Sequence, residues 1–304
     1  MAYGLQTYQD SGRREDLLDL IGDVSPDDNP LSTLFATTSA SQTTHEWLED
    51  YLARPTSTNA QAEGFTATYS DLTQPSRRNN IVQNIATTFR VSSTERAVSV
   101  AGAGDPYTYQ ASKALRDWKN NLEFAILNST IASGSSGVAR SMAGIQAIVT
   151  SHYTNRLSGT SLSETEFNDM VFDVASDVGS QDVFDTVVTT LRLRQKISTF
   201  TAGNTKYVNA SDKKLTRPVM VYESDFGVHK IFGHKDVYKS NATPGPMILG
   251  LKEDKWRISY LRKPERIDLA KDGDRDNGMI VGEATLEYLA ERANARRSGY
   301  NQNG

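Results

Sequence analysis

The sequence predicts an α+β protein with extended arms. Three observations carry that prediction. Residues 105–132 read as one long helix with a single apolar face, and several apolar blocks between 219 and 290 read as strands. Residues 31–100, by contrast, are rich in Thr, Ser, Asn and Gln and hold too few apolar side chains to pack on themselves.

The elements follow in chain order. Residues 1–30 carry seven acidic side chains against Arg13 and Arg14, a local net charge of −5. Leu17, Leu18, Leu20 and Ile21 predict one short helix, which Ser25-Pro26 and Asn29-Pro30 then break. The segment is either a solvated arm or an arm that docks on a neighbouring subunit. Thr44 to Leu52 alternates in part, as a strand does, and a polar, turn-rich stretch runs from Arg54 to Gly64. Phe65–Tyr69 and Ile81–Val91 are then read as two long strands of a protruding hairpin. A hairpin with so little apolar surface is not stable alone and needs a partner surface.

The long helix starts with Asp105 as N-cap and Pro106 at its first helical position. Ala111, Leu115, Trp118, Leu122 and Ile126 line one face, and the glycine-rich run Ser133–Gly137 ends it. At 1.5 Å per residue the rod is roughly 40 Å long, more than a globular core needs. A second helix opens on the capping box Ser163/Glu166, buries Phe167, Met170, Val171, Val174 and Val178, and closes at Gly179. A third is expected from Val183 to Ile197. Val219–Tyr222 reads as a buried strand. Trp256–Leu261 and Ile267–Ala270 lead into a polar turn at Asp272–Gly278, and Met279–Val281 and Ala284–Ala290 return from it. Alternation of Leu286, Tyr288 and Ala290 favours strand for the last segment, with helix as the alternative.

Composition narrows the function. The 304 residues are 38% hydrophobic and 23% charged, enough for a core but lean for a compact monomer, so surface is expected to be buried against other chains. A net charge of −4 argues against gripping nucleic acid by charge. Cysteine is absent, which excludes disulfides, thiolate metal sites and a Cys nucleophile; four His make a His-rich metal centre unexpected. No apolar run is long enough for a membrane span, and the N-terminus lacks a secretory pattern, so synthesis and assembly in a cytosol are expected.

The chemical motifs are weak. Asp272, Asp274 and Asp276, with Glu283 eleven residues after Asp272, nearly match a calcium loop, but Asn277 stands where Gly is expected and the flanks read as strands. A hairpin turn uses the same residue types. His229 and His234 lie five apart with no third ligand in view, and read as packing or surface residues. Ala101–Gly104 lacks the third Gly of a dinucleotide loop, and neither a nucleophile elbow nor a phosphate loop occurs. Arg296-Arg297 is too short for a nucleic-acid arm. No catalytic, cofactor-binding or metal-binding residue is assigned, no cofactor is expected, and the reading is non-enzymatic.

Four stretches resemble the major head proteins of tailed bacteriophages: Arg90–Val98 leading to Tyr109–Leu115; Leu122–Leu127 with its glycine-rich exit; Val221–Val228; and Tyr260–Arg262, Leu269–Asp274 and Gly282–Glu287 in that order. Together they are similar to a compact, uncleaved subgroup of the Hong Kong 97 capsid fold. The resemblance implies an N-terminal arm at 1–40, an extended loop at 41–100 and a peripheral domain with its spine helix at 101–139. It further implies an axial domain at 140–250 and a return to the peripheral domain at 251–304. The Asp272–Asn277 turn is more acidic than the family pattern.

The function so implied is a major capsid protein that self-assembles, through hexamers and pentamers, into the icosahedral shell around a phage genome. Its partners would be itself, a portal, and a scaffold or cement protein, with DNA enclosed but not read and no membrane bound. Its place would be the virion capsid, assembled in the host cytoplasm. Arg54, Arg77, Arg78, Arg90 and Arg96 are candidates for ion pairs with a neighbouring subunit, or ordinary solvated charges. The first Lys is Lys113, so residues 1–112 offer no amine for the Lys–Asn isopeptide bonds of the fold's namesake. The alternatives are a tail-tube or decoration protein, and an enzyme built on the Asp-rich turn.

Overall fold

The computed structural model describes residues 29–51, 55, 57, 59–67, 74–98, 105–200, 220–237 and 245–301. The expected helix around Leu17–Ile21 lies outside them. The chain opens with α1 (Pro30–Leu34), β1 (Ala36–Ser39), β2 (Thr44–Glu49), β3 (Ser76–Ile81), β4 (Gln83–Ser92) and α2 (Ser93–Ala97). The middle holds α3 (Pro106–Asn128), α4 (Ile145–Ile148), β5 (Tyr153–Thr160), α5 (Glu164–Val178), β6 (Thr186–Thr189) and α6 (Leu191–Ile197). The last part holds β7 (Met220–Ser224), β8 (Gly227–Gly233), β9 (Met247–Leu251), β10 (Trp256–Leu269), β11 (Arg275–Tyr288) and β12 (Ala295–Tyr300).

Helix α3 is the spine. The Asp105 carboxylate accepts from Tyr107 N and Thr108 Oγ1 (3.3 and 2.8 Å), closing the helix start as the sequence predicts. The helix stops at Asn128, four residues short of the expected 132, because Gly144 crosses its last turn. A Cβ on Gly144 would lie 2.7 Å from Ala125 O, and Gly144 N donates to Ser129 O at 2.8 Å. Trp118, 1% exposed, is pinned between two strands: its indole N–H donates to Ile85 O of β4 at 2.8 Å, and its ring leaves room only for glycine at Gly282 of β11.

Under the spine lies a four-stranded sheet ordered β1-β10-β11-β4, with β1 parallel to β10 and the other pairs antiparallel. The two expected strand pieces on either side of Lys263 are one 14-residue strand, β10, whose register shifts between Tyr260 and Glu265; Pro264 sits in that irregular stretch, where a missing N–H is tolerated. The segment 284–288 is strand, not helix.

The second sheet is six-stranded and mixed, ordered β5-β12-β9-β6-β8-β7. Its central strand β9 is buried throughout: Met247, Leu249 and Leu251 face the spine-side core, while Ile248 joins the core under α5 and Gly250 meets the Phe184 ring.

Three expectations need correction. The helix expected over Val183–Ile197 is split, because Thr186–Thr189 enter the second sheet as β6 and Thr190 Oγ1 caps a new helix by accepting from Leu193 N at 3.3 Å. The protruding hairpin is not Phe65–Tyr69 against Ile81–Val91. Its strands are β2 and β3, paired from Thr44↔Ile81 to Glu49↔Ser76, while residues 83–92 pair with β11 inside the main sheet. Residues 65–67 carry no strand, and 68–69 lie outside the described residues. Finally, 251–304 does not return to one sheet: β10 and β11 do, but β12 crosses to pair with β9 and β5.

Candidate assembly surfaces

The ribbon β2–β3 is where the chain leaves its own core. Thr44, Glu46 and Leu48 of β2 and Ser76–Asn79 of β3 stay exposed or partly so, and Leu48 is 67% exposed. Every described residue from 55 to 75 is exposed, Phe65 among them.

The ribbon is held to its own chain at both ends by buried polar groups, Asn80 near one end and Glu49 at the loop end. Glu49, 2% exposed, accepts from Tyr51 OH (2.5 Å), Arg78 Nε (2.7 Å) and Glu291 N (2.9 Å). Burial, then the bond to Glu49, pushes the Tyr51 phenol well above its ordinary range. Asn80, fully buried, donates to Ala143 O and Leu286 O and accepts from Ala143 N and its own chain neighbour Ile81 N. A fully bonded amide costs little to bury, and it stitches ribbon, sheet and spine exit together. Trp47 lies edge-on to Tyr288 at 5.1 Å, and His45 Nε2 reaches Glu287 at 3.1 Å.

The five arginines behave unequally. Arg77 pairs with Glu46 across the ribbon and Arg78 with Glu49. Arg96 bonds Asp276 at 2.8 Å and Asp105 at 3.3 Å. These three are thus engaged within the chain. Arg90 is exposed on β4, and Arg54 lies outside the described residues.

The Asp-rich turn is a hairpin tip. Gly273 takes φ 73°, a left-handed conformation that suits glycine, and β11 begins at Arg275. An extended strand at 3.3 Å per residue puts Glu283 about 23 Å from Asp276, so the spacing that a calcium loop folds into one sphere is stretched out here. The carboxylates have other partners. Asp276 is held below the usual carboxylate range by Lys271 and then Arg96, and Glu283 binds Arg262 at 2.8 Å.

The two histidines are buried and apart in role. His229 Nδ1 lies 2.9 Å from Phe184 O, an acceptor, so the proton sits on Nδ1 and Nε2 accepts from Ser224 Oγ at 2.8 Å. Burial lowers its pKa to about 4. His234 Nδ1 accepts from Asp236 N at 3.0 Å, which leaves its Nε2 proton facing Glu123 at 3.5 Å. Glu123 is the group that sequence reasoning passed over. From the spine it accepts Leu31 N (2.8 Å) and Ser32 N (2.9 Å), and so holds the first turn of α1 against the core. A carboxylate amid Leu122, Phe124 and Ala125 is the signal that could have found it.

A sequence profile described as SU10 major capsid protein matches residues 3–301. The major capsid protein of Escherichia phage Phieco32 is 20% identical, with 93% of each chain covered. Among solved structures, the capsid of a native GTA particle superposes with a TM-score of 0.65 at 10% identity, covering 97% of both chains. A chain from Microbacterium phage Oxtober96 gives 0.62 at 13% identity, covering 95% of this chain and 96% of that one. These likenesses carry the fold, and the profile, spanning nearly the whole chain, carries the family. The α+β architecture is the Hong Kong 97 capsid fold that the four stretches resembled, and the chain belongs to the SU10 major capsid protein family, whose members are structural proteins of the phage capsid.

Proposed function

We propose that copies of this chain form hexamers and pentamers that close into the head shell, with the ribbon and its loop lying across a neighbouring subunit. In this reading 1–40 is the arm, 41–100 the extended loop, 101–139 the spine part of the peripheral domain and 140–250 the axial domain. Residues 251–304 return to the peripheral domain and send their last strand back to the axial sheet. Assembly takes place in the host cytoplasm, around DNA that the acidic chain encloses without reading. A portal fills one vertex, and a scaffold or cement protein assists.

One observation carries the reading: a two-stranded ribbon anchored to its own chain at one end by Asn80 and at the other by Glu49 continues into a stretch, 55 to 75, whose described residues are all exposed. The exposed stretch beyond the ribbon has too little apolar surface to be stable alone and gains stability from a surface outside the subunit. Deleting residues 55–75 tests it. The expected product is a folded subunit, with unchanged circular dichroism, that forms no shells under the electron microscope while the full chain does. Global unfolding of the deletion would show that the segment belongs to the core. Stacked tubes from the full chain would show a tail-tube protein instead.

A further inference from the structure

Two faces of the second sheet's helical layer carry opposite charge around an exposed apolar side chain. Helix α5 contains Glu164, Glu166, Asp169, Asp173 and Asp177 and no Lys or Arg. Its core face holds Phe167, Met170, Val171 and Val174; its outer stripe is Thr165, Asp169, Phe172 and Ser176, at spacings of 4, 3 and 4. Phe172 is 55% exposed, its ring centre 6.1 Å from that of Phe226, with exposed Asp225 beside Phe226 in the β7–β8 turn. Several of the helix's other carboxylates are already committed inside the chain: Asp173 and Glu166 to Arg297, and Asp177 to His152.

Helix α6 is the opposite. It carries Arg192, Arg194 and Lys196 and no acidic residue. Leu193 and Ile197 face the core, whereas Leu191 is 55% exposed although it rests on Gly233, where a Cβ would come within 2.8 Å of it. Arg192 and Gln195 flank it on the outside.

We propose that the α5 outer face of one copy docks on the α6 outer face of the next, Phe172 against Leu191 and Asp169 against Arg192. The occupant is a second copy because one chain supplies both complementary halves. The contact pairs unlike faces, because setting either face on its own copy would bring Asp169 and Asp225, or Arg192, against themselves, and like charges repel. Repeated head-to-tail around a rotation axis, such an unlike-face contact closes into a ring, which is what a capsomer requires. The inference rests on the self-assembly reading above and names the surface that performs it.

Charge exchange tests it. Asp169→Arg and Arg192→Asp both alter exposed side chains, so circular dichroism should match the parent chain. Each alone should lower the yield of closed shells by about tenfold or more, and the double variant should restore it. Oxidising a mixture of Phe172→Cys and Leu191→Cys chains, against a cysteine-free background, should give cross-linked dimers that neither chain gives alone. Parent-level yield from either single charge variant, or a double variant as defective as the singles, overturns the contact while leaving self-assembly standing. Dimers from Phe172→Cys alone overturn the pairing of unlike faces. A parent chain that forms no shells at all overturns self-assembly and this contact with it.

Discussion

Strand β9 divides two cores that are filled in different ways. On the spine side, volume dominates. Trp118 and Trp256 are both essentially unexposed, each has its indole N–H bonded (to Ile85 O and to Asn294 Oδ1, both at 2.8 Å), and Phe35 stacks on Trp256 at 5.8 Å. On the axial side, a titratable ring sits among the aromatics: His229 lies 5.1 Å from Phe184 and 6.1 Å from Phe167, with each ring nitrogen bonded in a single tautomer. The first core is therefore vulnerable to lost volume and the second to a gained proton. A shell protein with both has two separable ways of loosening, one on each side of a five-residue strand.

The largest effect is expected on the spine side. Trp118→Ala removes the side chain that joins α3, β4 and β11, and leaves Ile85 O without its donor. A cavity of this kind costs about 3–5 kcal/mol, read as a lower urea midpoint, with loss of soluble assembly. Normal particles from this variant would mean that the helix does not depend on that face.

The axial side should respond to acid. The folded pKa of His229 is about 4, below the ordinary 6.5, so the folded state resists protonation. The unfolded chain binds the proton first as pH falls below 6.5, so stability present above 6.5 is lost between there and about 4. The loss is about 3 kcal/mol from this one group. His229→Asn keeps a donor for Phe184 O and removes the titration. Urea unfolding at pH 7 and pH 4.5 should show a steeper acid loss for the parent than for the variant. Equal slopes would mean that the ring is hydrated in solution.

The dividing strand itself can be probed with a single methyl. Gly250→Ala places a Cβ 2.7 Å from the Phe184 ring, which is packed and cannot simply swing away. Overpacking of this size costs about 1–3 kcal/mol. It should fall on the axial side, seen as faster hydrogen exchange in β6 and β8 than in β10 and β11. Uniform acceleration across both sheets would show that β9 couples the cores instead of dividing them.

How much of this was legible follows from what each element depends on. The spine was, because Asp105, Pro106 and the Ala111–Ile126 stripe are local signals, each sufficient by its own chemistry. Helix α5 was legible for the same reason, from Ser163 to Gly179. The ribbon was misplaced because Ser76–Asn79 have no apolar alternation. They are strand only through cross-strand pairing with β2 and the Arg77–Glu46 and Arg78–Glu49 pairs. Strand β6 was hidden because Thr186–Thr189, buried on both faces, reads as a run that continues into α6. Glu49, Asn80 and Glu123 each reach a partner 63 to 242 residues away, and of the three only Glu123, a carboxylate amid Leu122, Phe124 and Ala125, leaves a local trace of its contact.

The smallest expected effect is none at all, and it concerns what ties the cores of neighbouring subunits together. An isopeptide cross-link of the kind that binds the fold's namesake needs a Lys amine on the extended loop beside an Asn carboxamide of another subunit. Here residues 1–112 contain no Lys, and Lys113, the first, sits exposed on the spine helix. Arg77, Arg78 and Arg90 cannot substitute, because a guanidinium keeps its proton and is no amine nucleophile. Cysteine is absent, so disulfides cannot either. Cohesion between subunits is then non-covalent, from strand pairing, side-chain packing and charge. Purified particles boiled in detergent should run as a single band near 33.5 kDa on a denaturing gel. A ladder of covalent multimers would require a nucleophile outside the loop, with Lys113 and the exposed Lys119 of the same helix as the first positions to replace by Arg.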